Sequence, residues 1–250
     1  MGLVVDLNMV DEIKKGNKRV IGKLISDIEN NNPKGTELLK ELGEPAKHAV
    51  ILGITGPPGA GKSTLINELA KGLLVEGMRV GIIAVDPSSP ITGGALLGDR
   101  IRMSDLSKSK DIFIRSMAAR GALGSISKAV AGAIRVLEHS AMNYIIVETV
   151  GVGQSEVDIR RVADLVVLVT VPGLGDDIQA DKAGIIEIAD IIVVNKADRE
   201  DADHTLRHLQ NTLRLYENNE NHRKVAIIST IALTGKGVDE LLLEVKGGRQ

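Results

Sequence analysis

The sequence contains no cysteine and no tryptophan, and its aromatic residues are Phe113, Tyr144 and Tyr216. Without cysteine there is no disulfide framework and no thiolate metal site, which fits a reducing compartment. With aromatics at 1 % of the chain, stacking platforms for single-stranded nucleic acid are missing, and the core has to be aliphatic. A dominant charge is missing too. The 31 basic and 33 acidic residues leave a formal net charge of −2, so no basic excess marks a nucleic-acid backbone binder. No apolar run reaches the ~18 residues of a membrane span. The N-terminus MGLVVDLNMV carries Asp6 and has no basic segment ahead of its apolar residues, unlike a signal peptide. Gly2 suits lipidation, but Asp6 stands where that motif wants Ser or Thr. The expectation is a soluble cytoplasmic protein with no nucleic-acid and no membrane partner.

What is present is aliphatic and ordered by period. Apolar residues make up 43 % of 250 positions, enough for a sizeable core. Val10, Ile13, Val20, Ile21, Leu24, Ile25 and Ile28 keep a helical period over 9–28. NNNP at 30–33 stops that helix, and a short second one is expected from Thr36 to Leu42, before Gly43 and Pro45. From 49 onward, short continuous apolar runs recur at 49–55, 79–85, 111–116, 144–148, 165–171, 190–195 and 225–230. Unbroken apolar character means strands covered on both faces. Stretches at 62–76, 127–139, 177–189 and 203–216 can hold crossover helices. The predicted fold is α/β, a mostly parallel central sheet with helices on both faces. A helical N-terminal extension over 1–47 precedes a main domain over 48–250.

GPPGAGKST (56–64) follows the first predicted strand and opens a helix, as a phosphate-binding P-loop requires. Gly56, Pro57, Pro58, Gly59, Ala60 and Gly61 form a loop whose backbone N–H groups can turn toward phosphate oxygens. The helix that starts with Lys62, Ser63 and Thr64 adds its positive end. Lys62 should reach the β- and γ-phosphates and Ser63 should hold Mg²⁺. NKAD (195–198) matches the guanine motif N-K-x-D at a strand end. Asp198 can accept from guanine N1–H and the exocyclic amine, where adenine has no donor. Asn195 reads the base edge or tethers the loop, and the Lys196 stem lies over the base. IALTGKG (231–237) follows the last strand, where Ala232 and Leu233 would close the far side of the base through the Ala232 N–H; Ile231 stands where Ser is usual.

IIVETVGVGQ (145–154) ends a β-branched run on Glu148. A strand ending this way hands its carboxylate to the metal at a phosphate site, although Asp is the usual residue. Gly151 would offer its N–H to the γ-phosphate. Because Glu reaches farther, other carboxylates are candidates for direct ligation. Asp86 and Asp99 bracket DPSSPITGGALLGDR (86–100), a loop that could close on Mg²⁺, which takes oxygen ligands. The plainer alternatives are a turn residue before Pro87 for Asp86 and a surface charge beside Arg100 for Asp99. His204 and His208, at i and i+4, lack the Glu of an H-E-x-x-H site and read as an exposed helix face.

With GITGPPGAGKSTLI, VDPSSP, GGALLGDRIRM, SMAARGALG, ETVGVGQSE, PGLGDDIQADKAG and NKAD in this order, the chain resembles the methylmalonyl-CoA mutase-associated GTPases over roughly residues 5 to 240. The resemblance implies a P-loop GTPase that takes GTP/GDP and Mg²⁺. It implies a chaperone role, gating adenosylcobalamin loading into a cobalamin-dependent acyl-CoA mutase and protecting it. It implies an acidic set of Asp86, Asp99 and Glu148 at the metal, and Gln154 placed to orient water. PGLGDDIQADKAG (172–184) resembles a switch that couples nucleotide state to the mutase, with Lys182 matching a lysine implicated in it. Longer members continue in an arm that supports a homodimer, whereas this sequence ends at LLLEVKGGRQ; Ser125 also replaces an expected Gly. The competing expectations are a kinase acting on a periplasmic amino-acid transport component and a metallochaperone-type GTPase. The five scattered histidines argue against nickel insertion. A signal-recognition GTPase is disfavoured by the glutamate motif and the lack of a Met-rich domain.

Overall fold

The continuous apolar runs fold as strands because only a sheet covered on both sides hides them from water. The computed structural model describes residues 7–86, 105–118, 128–149, 158–173, 183–217 and 225–248. Within them, β1 (Val50–Thr55), β2 (Val80–Asp86), β3 (Ile112–Ala118), β4 (Tyr144–Glu148), β5 (Leu165–Thr170), β6 (Ile191–Val194) and β7 (Ala226–Ser229) form one sheet. Its order is β3-β2-β4-β1-β5-β6-β7, and every neighbouring pair is parallel. Every residue of β4, β5 and β6 is buried. Parallel pairing brings all the strand C-termini to one side, where the order reverses around β1. That crevice is where ligands bind in open α/β sheets.

Two layers of helix cover the sheet. On one face, α4 (Lys62–Val75) and α8 (Val238–Gly247) pack Leu65, Leu69, Leu73, Leu241 and Val245 against Leu52, Ile82, Ile146 and Val167. The other face is shared. There α5 (Lys128–His139) packs beside α1 (Leu7–Lys14), α2 (Lys18–Glu29) and α3 (Pro33–Glu41) over Ile83, Phe113, Met117 and Val147. Beyond them, α6 (Ala183–Ile188) and α7 (Ala202–Glu217) cover Leu168, Ile192 and Val194. Ile21, Leu24, Ile25 and Ile28 of α2 are buried at i, i+3, i+4 and i+7. Each contributes about 1.5–3 kcal/mol relative to exposure, far more than the local preference of a twelve-residue helix supplies.

The period over 9–28 predicts one helix, and the structure divides it into α1 and α2. Gly16 leaves the helix at φ 80°, and a Cβ there would lie 2.2 Å from Arg79 Nη2. Asn17 then starts α2, its side-chain oxygen accepting from the Arg19 and Val20 N–H groups at 3.1 and 3.4 Å. The apolar spacing runs in phase across this break, so the period alone does not reveal it. The second helix starts earlier than expected, because Pro33 takes its first position and Asn32 accepts the Lys34 N–H at 3.1 Å.

The seam between α3 and α5 carries a buried titratable group. His139, 8 % exposed, sits with Nε2 3.3 Å from the Gly43 carbonyl oxygen, which Arg135 also reaches. Burial lowers its pKa from the ordinary 6.5; Arg135 and Lys14 act in the same direction, while the Gly43 carbonyl and Glu138 oppose them. The unfolded chain therefore binds a proton at pH values where the folded chain does not. The stability contributed by neutral His139 is fully present above the unfolded value and is lost as pH falls through the folded one. Urea unfolding should show stability declining below about pH 6.5, with part of that slope absent in His139→Gln. Identical slopes in the two proteins would remove His139 as the source.

Candidate nucleotide-binding site

The loop between β1 and α4 is shaped by its glycines. Gly56, Gly59 and Gly61 hold φ of 134°, 76° and 92°, where side chains are strained. A Cβ on Gly61 would also lie 2.4 Å from Asn195 Nδ2. The first side chain of α4, Lys62, is 7 % exposed, and its ammonium donates to the carbonyls of Gly56 at 2.8 Å and Pro57 at 3.2 Å. The ammonium thus lies across its own loop. Ser63 follows and donates its hydroxyl to Glu148 Oε1 at 2.9 Å. Glu148 is the last residue of β4, in register with Ile54 of β1 and Ala84 of β2, and is 6 % exposed. Beside it, Thr149 donates its hydroxyl to Thr55 Oγ1 at 3.0 Å, joining the ends of β4 and β1.

A second loop follows β6. The Asn195 N–H continues the sheet by donating to Thr170 O at 2.8 Å. The Asn195 side chain, in a residue 2 % exposed, ties three loops together. Its Nδ2 donates to Ala60 O at 2.8 Å, and its Oδ1 accepts from Thr230 Oγ1 at 3.1 Å and from the Ala232 N–H at 3.0 Å. Lys196 takes a left-handed backbone, φ 56°, and its ammonium donates to Gly59 O at 2.7 Å. Asp198 stands exposed two residues on.

These groups meet in one cleft of about 620 Å³ at the C-terminal side of the sheet. From the sequence-derived set, Gly59, Gly61, Lys62, Ser63, Thr64, Glu148, Asn195, Lys196, Asp198, Ala232 and Leu233 line it. Gly56, Pro57, Pro58 and Ala60 belong to the same loop without lining the cleft, Ala60 being fully buried. Asp86 ends β2. Asp99, Gly151, Gln154 and Lys182 lie outside the described residues, as does the Asp86 side chain. Val85, Thr149, Arg199 and Ile231 also line the cleft. Thr149 and Arg199 were not singled out from sequence, although each directly follows a motif residue, Glu148 or Asp198. One end of the cleft thus presents an ammonium, a hydroxyl and a carboxylate at a helix start. The other presents a free-standing carboxylate beside a lysine stem and the exposed Leu233.

Elsewhere, no group of three or more His, Cys, Asp or Glu that could hold a metal occurs among the described residues. No helix among them is long and apolar enough to cross a membrane. His204 and His208 lie together on α7.

The methylmalonyl Co-A mutase-associated GTPase MeaB family model matches residues 21–250. A Pyrococcus horikoshii protein that carries the name GTPase is 54 % identical over 242 residues, covering 95 % of this chain and 76 % of that one. GTPase ArgK of Escherichia coli is 35 % identical over 241 residues, covering 93 % and 72 %. A crystal structure of LAO/AO transport system kinase superposes with a TM-score of 0.75 at 26 % identity, covering 99 % of this chain and 78 % of the other. The chain is a GTPase with a P-loop NTPase fold, and it belongs to the methylmalonyl Co-A mutase-associated GTPase MeaB family.

Proposed function

We propose that the protein is a GTP-hydrolysing chaperone of a cobalamin-dependent acyl-CoA mutase, in which bound GTP and its hydrolysis gate adenosylcobalamin loading and protect the enzyme. The observation that carries the nucleotide half is the single cleft with Lys62, Ser63 and Glu148 at one end and Asp198 at the other. Family membership supports the mutase half. The helices of 1–47 and the nucleotide domain of 48–250 are proposed to act as one body, in keeping with the core that α1–α3 share with α5. The proposed compartment is the cytoplasm.

Lys62 fits a phosphate site because its buried ammonium now rests on loop carbonyls, acceptors that phosphate oxygens can replace. Ser63 and Glu148 fit a magnesium site because they set a hydroxyl and a carboxylate, both hard oxygen donors, side by side. Ser63 would ligate the ion, and Glu148, with Asp86 and Asp99, would hold it directly or through water. Bound there, Mg²⁺ supplies charge neutralisation for the phosphates. Hydrolysis is in-line attack of water on the γ-phosphorus. The new P–O bond forms as the bond to the β-phosphate oxygen breaks, giving GDP and phosphate. Lys62 stabilises the charge that builds on the departing oxygens, Gly151 donates its N–H to the γ-phosphate, and Gln154 orients the water. Among the described residues, Arg199 is the arginine that lines the cleft, beside Asp198 at the base end; turnover is proposed to be slow without a partner, and the mutase to accelerate it through Lys182.

Asp198 accepts from guanine N1–H and the amine. Asn195 acts here as the tether of the three loops, its oxygen already taking the Thr230 and Ala232 donors. With the Ala232 N–H so engaged, the N–H of Leu233 is the proposed donor to guanine O6. A kinase acting on a transport component is the second reading, favoured by the likeness to LAO/AO transport system kinase.

Asp198→Asn should weaken GTP by about 3 kcal/mol or more, two hydrogen bonds to a charged acceptor. It should improve binding of xanthosine triphosphate, whose ring carries a carbonyl in place of the amine. Unchanged nucleotide preference in titration calorimetry would remove Asp198 as the base reader. Asn195→Ala leaves Ala60 O, Thr230 Oγ1 and the Ala232 N–H unmatched, so unfolding without nucleotide should lose about 2–4 kcal/mol. Unaltered stability with weakened GTP would make Asn195 a base reader instead. GTP turnover should rise clearly when a cobalamin-dependent acyl-CoA mutase is added, and Lys182→Ala should abolish the rise. If no rise and no nucleotide-dependent complex are seen, the mutase role fails while the GTPase stands. Transfer of labelled γ-phosphate to a transport binding protein would establish the kinase instead.

A further inference from the structure

The sheet has two edges, β3 and β7. Along β3 the direction of the backbone groups is fixed from both ends. Asp111 O accepts the Val80 N–H of β2 at 2.9 Å, so odd-numbered groups turn inward. Alternation along a parallel ladder turns the even-numbered ones outward. Ala118 agrees, for its N–H is taken by Glu29 Oε1 of α2 at 3.2 Å. At that end the edge is closed by the Glu29 carboxylate, which also pairs with Arg115 at 2.8 Å. The outward groups of Ile112 and Ile114 have no such cover among the described residues. Among the described residues, no strand lies beyond them.

A groove of about 450 Å³ runs there. Ile112 and Ile114 from one face of β3 line it, and so do Phe113 and Arg115 from the other; the groove therefore follows the edge itself. Lys18 and Gly22 of α2 line it as well. Gly22 is the informative residue. A glycine inside a helix costs about 1 kcal/mol relative to alanine, and the common reason for accepting it is close packing. Here a Cβ would meet nothing within 4 Å among the described residues. The glycine leaves that stretch of the groove, beside the strand edge, without a side chain.

A basic side chain stands at each end of the groove, Lys18 at one and Arg115, ion-paired with Glu29, at the other. Lys18 reaches the Ser109 carbonyl at 2.6 Å. Burial leads the lowering of its pKa and Arg79 adds to it, while Asp111 opposes them. Arg115 binds Ser26 and Glu29 through Nη2, and its buried Nε–H has no acceptor among the described residues.

We propose that this edge is a docking site for a partner protein, which lays an extended acidic segment along β3 as an eighth strand. The partner's backbone pairs with the outward groups of Ile112 and Ile114, and its carboxylates meet Lys18 and Arg115. Four strand residues offer about 13 Å of edge, with hydrogen bonds giving affinity and the flanking cations giving choice. The inference does not depend on the nucleotide chemistry.

The probe is a fluorescein-labelled hexapeptide alternating glutamate and valine, titrated into the full chain by anisotropy. Saturable binding is expected. Gly22→Leu, Lys18→Gln, a backbone N-methylated peptide and a lysine–valine peptide should each lose about tenfold or more in affinity. Gly22→Leu should melt no lower than the parent, since it replaces glycine in a helix beside open space. Absence of saturable binding would overturn the proposal. So would equal affinity for Gly22→Leu, or an N-methylated peptide that binds as well as the plain one. Displacement of the peptide by inorganic phosphate would make this a small-anion site. Self-association of the chain lost in Gly22→Leu would make the occupant a second copy. Either result also overturns the proposal. If Gly22→Leu fails to fold, Lys18→Gln with the two control peptides decides alone.

Discussion

The site depends on one carboxamide. Asn195 donates to the phosphate loop through Ala60 O and accepts from the last loop through Thr230 and Ala232. Three connections that are far apart in the chain are fixed by a single side chain, 2 % exposed. Such a network has little tolerance, since each polar group it satisfies is buried and expensive to strand. The requirement spreads outward. Gly61 has to be glycine both for its backbone angle and because any Cβ would strike this amide. Lys196, forced into a left-handed backbone next to it, adds a second strap to Gly59 O. The two ends of the cleft are therefore one mechanical unit.

The sheet makes that unit possible. Parallel pairing puts the ends of β1, β4, β5 and β6 on one side. Glu148, Thr149, Thr55, Thr170 and Asn195 all stand at those ends, and hydrogen bonds join Thr149 to Thr55 and Asn195 to Thr170. The N-terminal helices belong to the same construction. They are not laid on a finished domain, since Ile21, Leu24, Ile25 and Ile28 share a cluster with Phe113, Met117 and Val147. Glu29 at the end of α2 closes the β3 edge at Ala118, which pairs in register with Asp86. Helix α2 is thus braced against the strand next to the one that carries that carboxylate.

Much of this was legible in the sequence, for physical reasons. Buried parallel strands need unbroken aliphatic runs, so the seven runs declared themselves, and a phosphate loop has few ways to be written. What stayed hidden depends on three dimensions. The break at Lys15–Asn17 left the apolar period in phase, and only the backbone of Gly16 and the guanidinium of Arg79 show it. Thr149 was not singled out from the sequence, and its part in the site rests on the hydroxyl contact to Thr55. The choice between base reading and tethering for Asn195 needed partners supplied by residues 60, 230 and 232.

The glutamate at the end of β4 can be understood from reach. Register fixes the Glu148 backbone between Ile54 and Ala84, and the start of α4 fixes Ser63 across the crevice. With both backbones set, the side chain has to span what remains, and it does so with 2.9 Å between Glu148 Oε1 and Ser63 Oγ. Aspartate would draw the carboxylate back by about one C–C bond, roughly 1.5 Å. The separation would then exceed hydrogen-bond range, and a water or ion would have to fill the gap. Glutamate instead holds the serine hydroxyl directly and keeps the carboxylate and hydroxyl oxygens together in a 6 % exposed residue. The longer side chain therefore preorganises an oxygen pair that a shorter one would form only around a bound species.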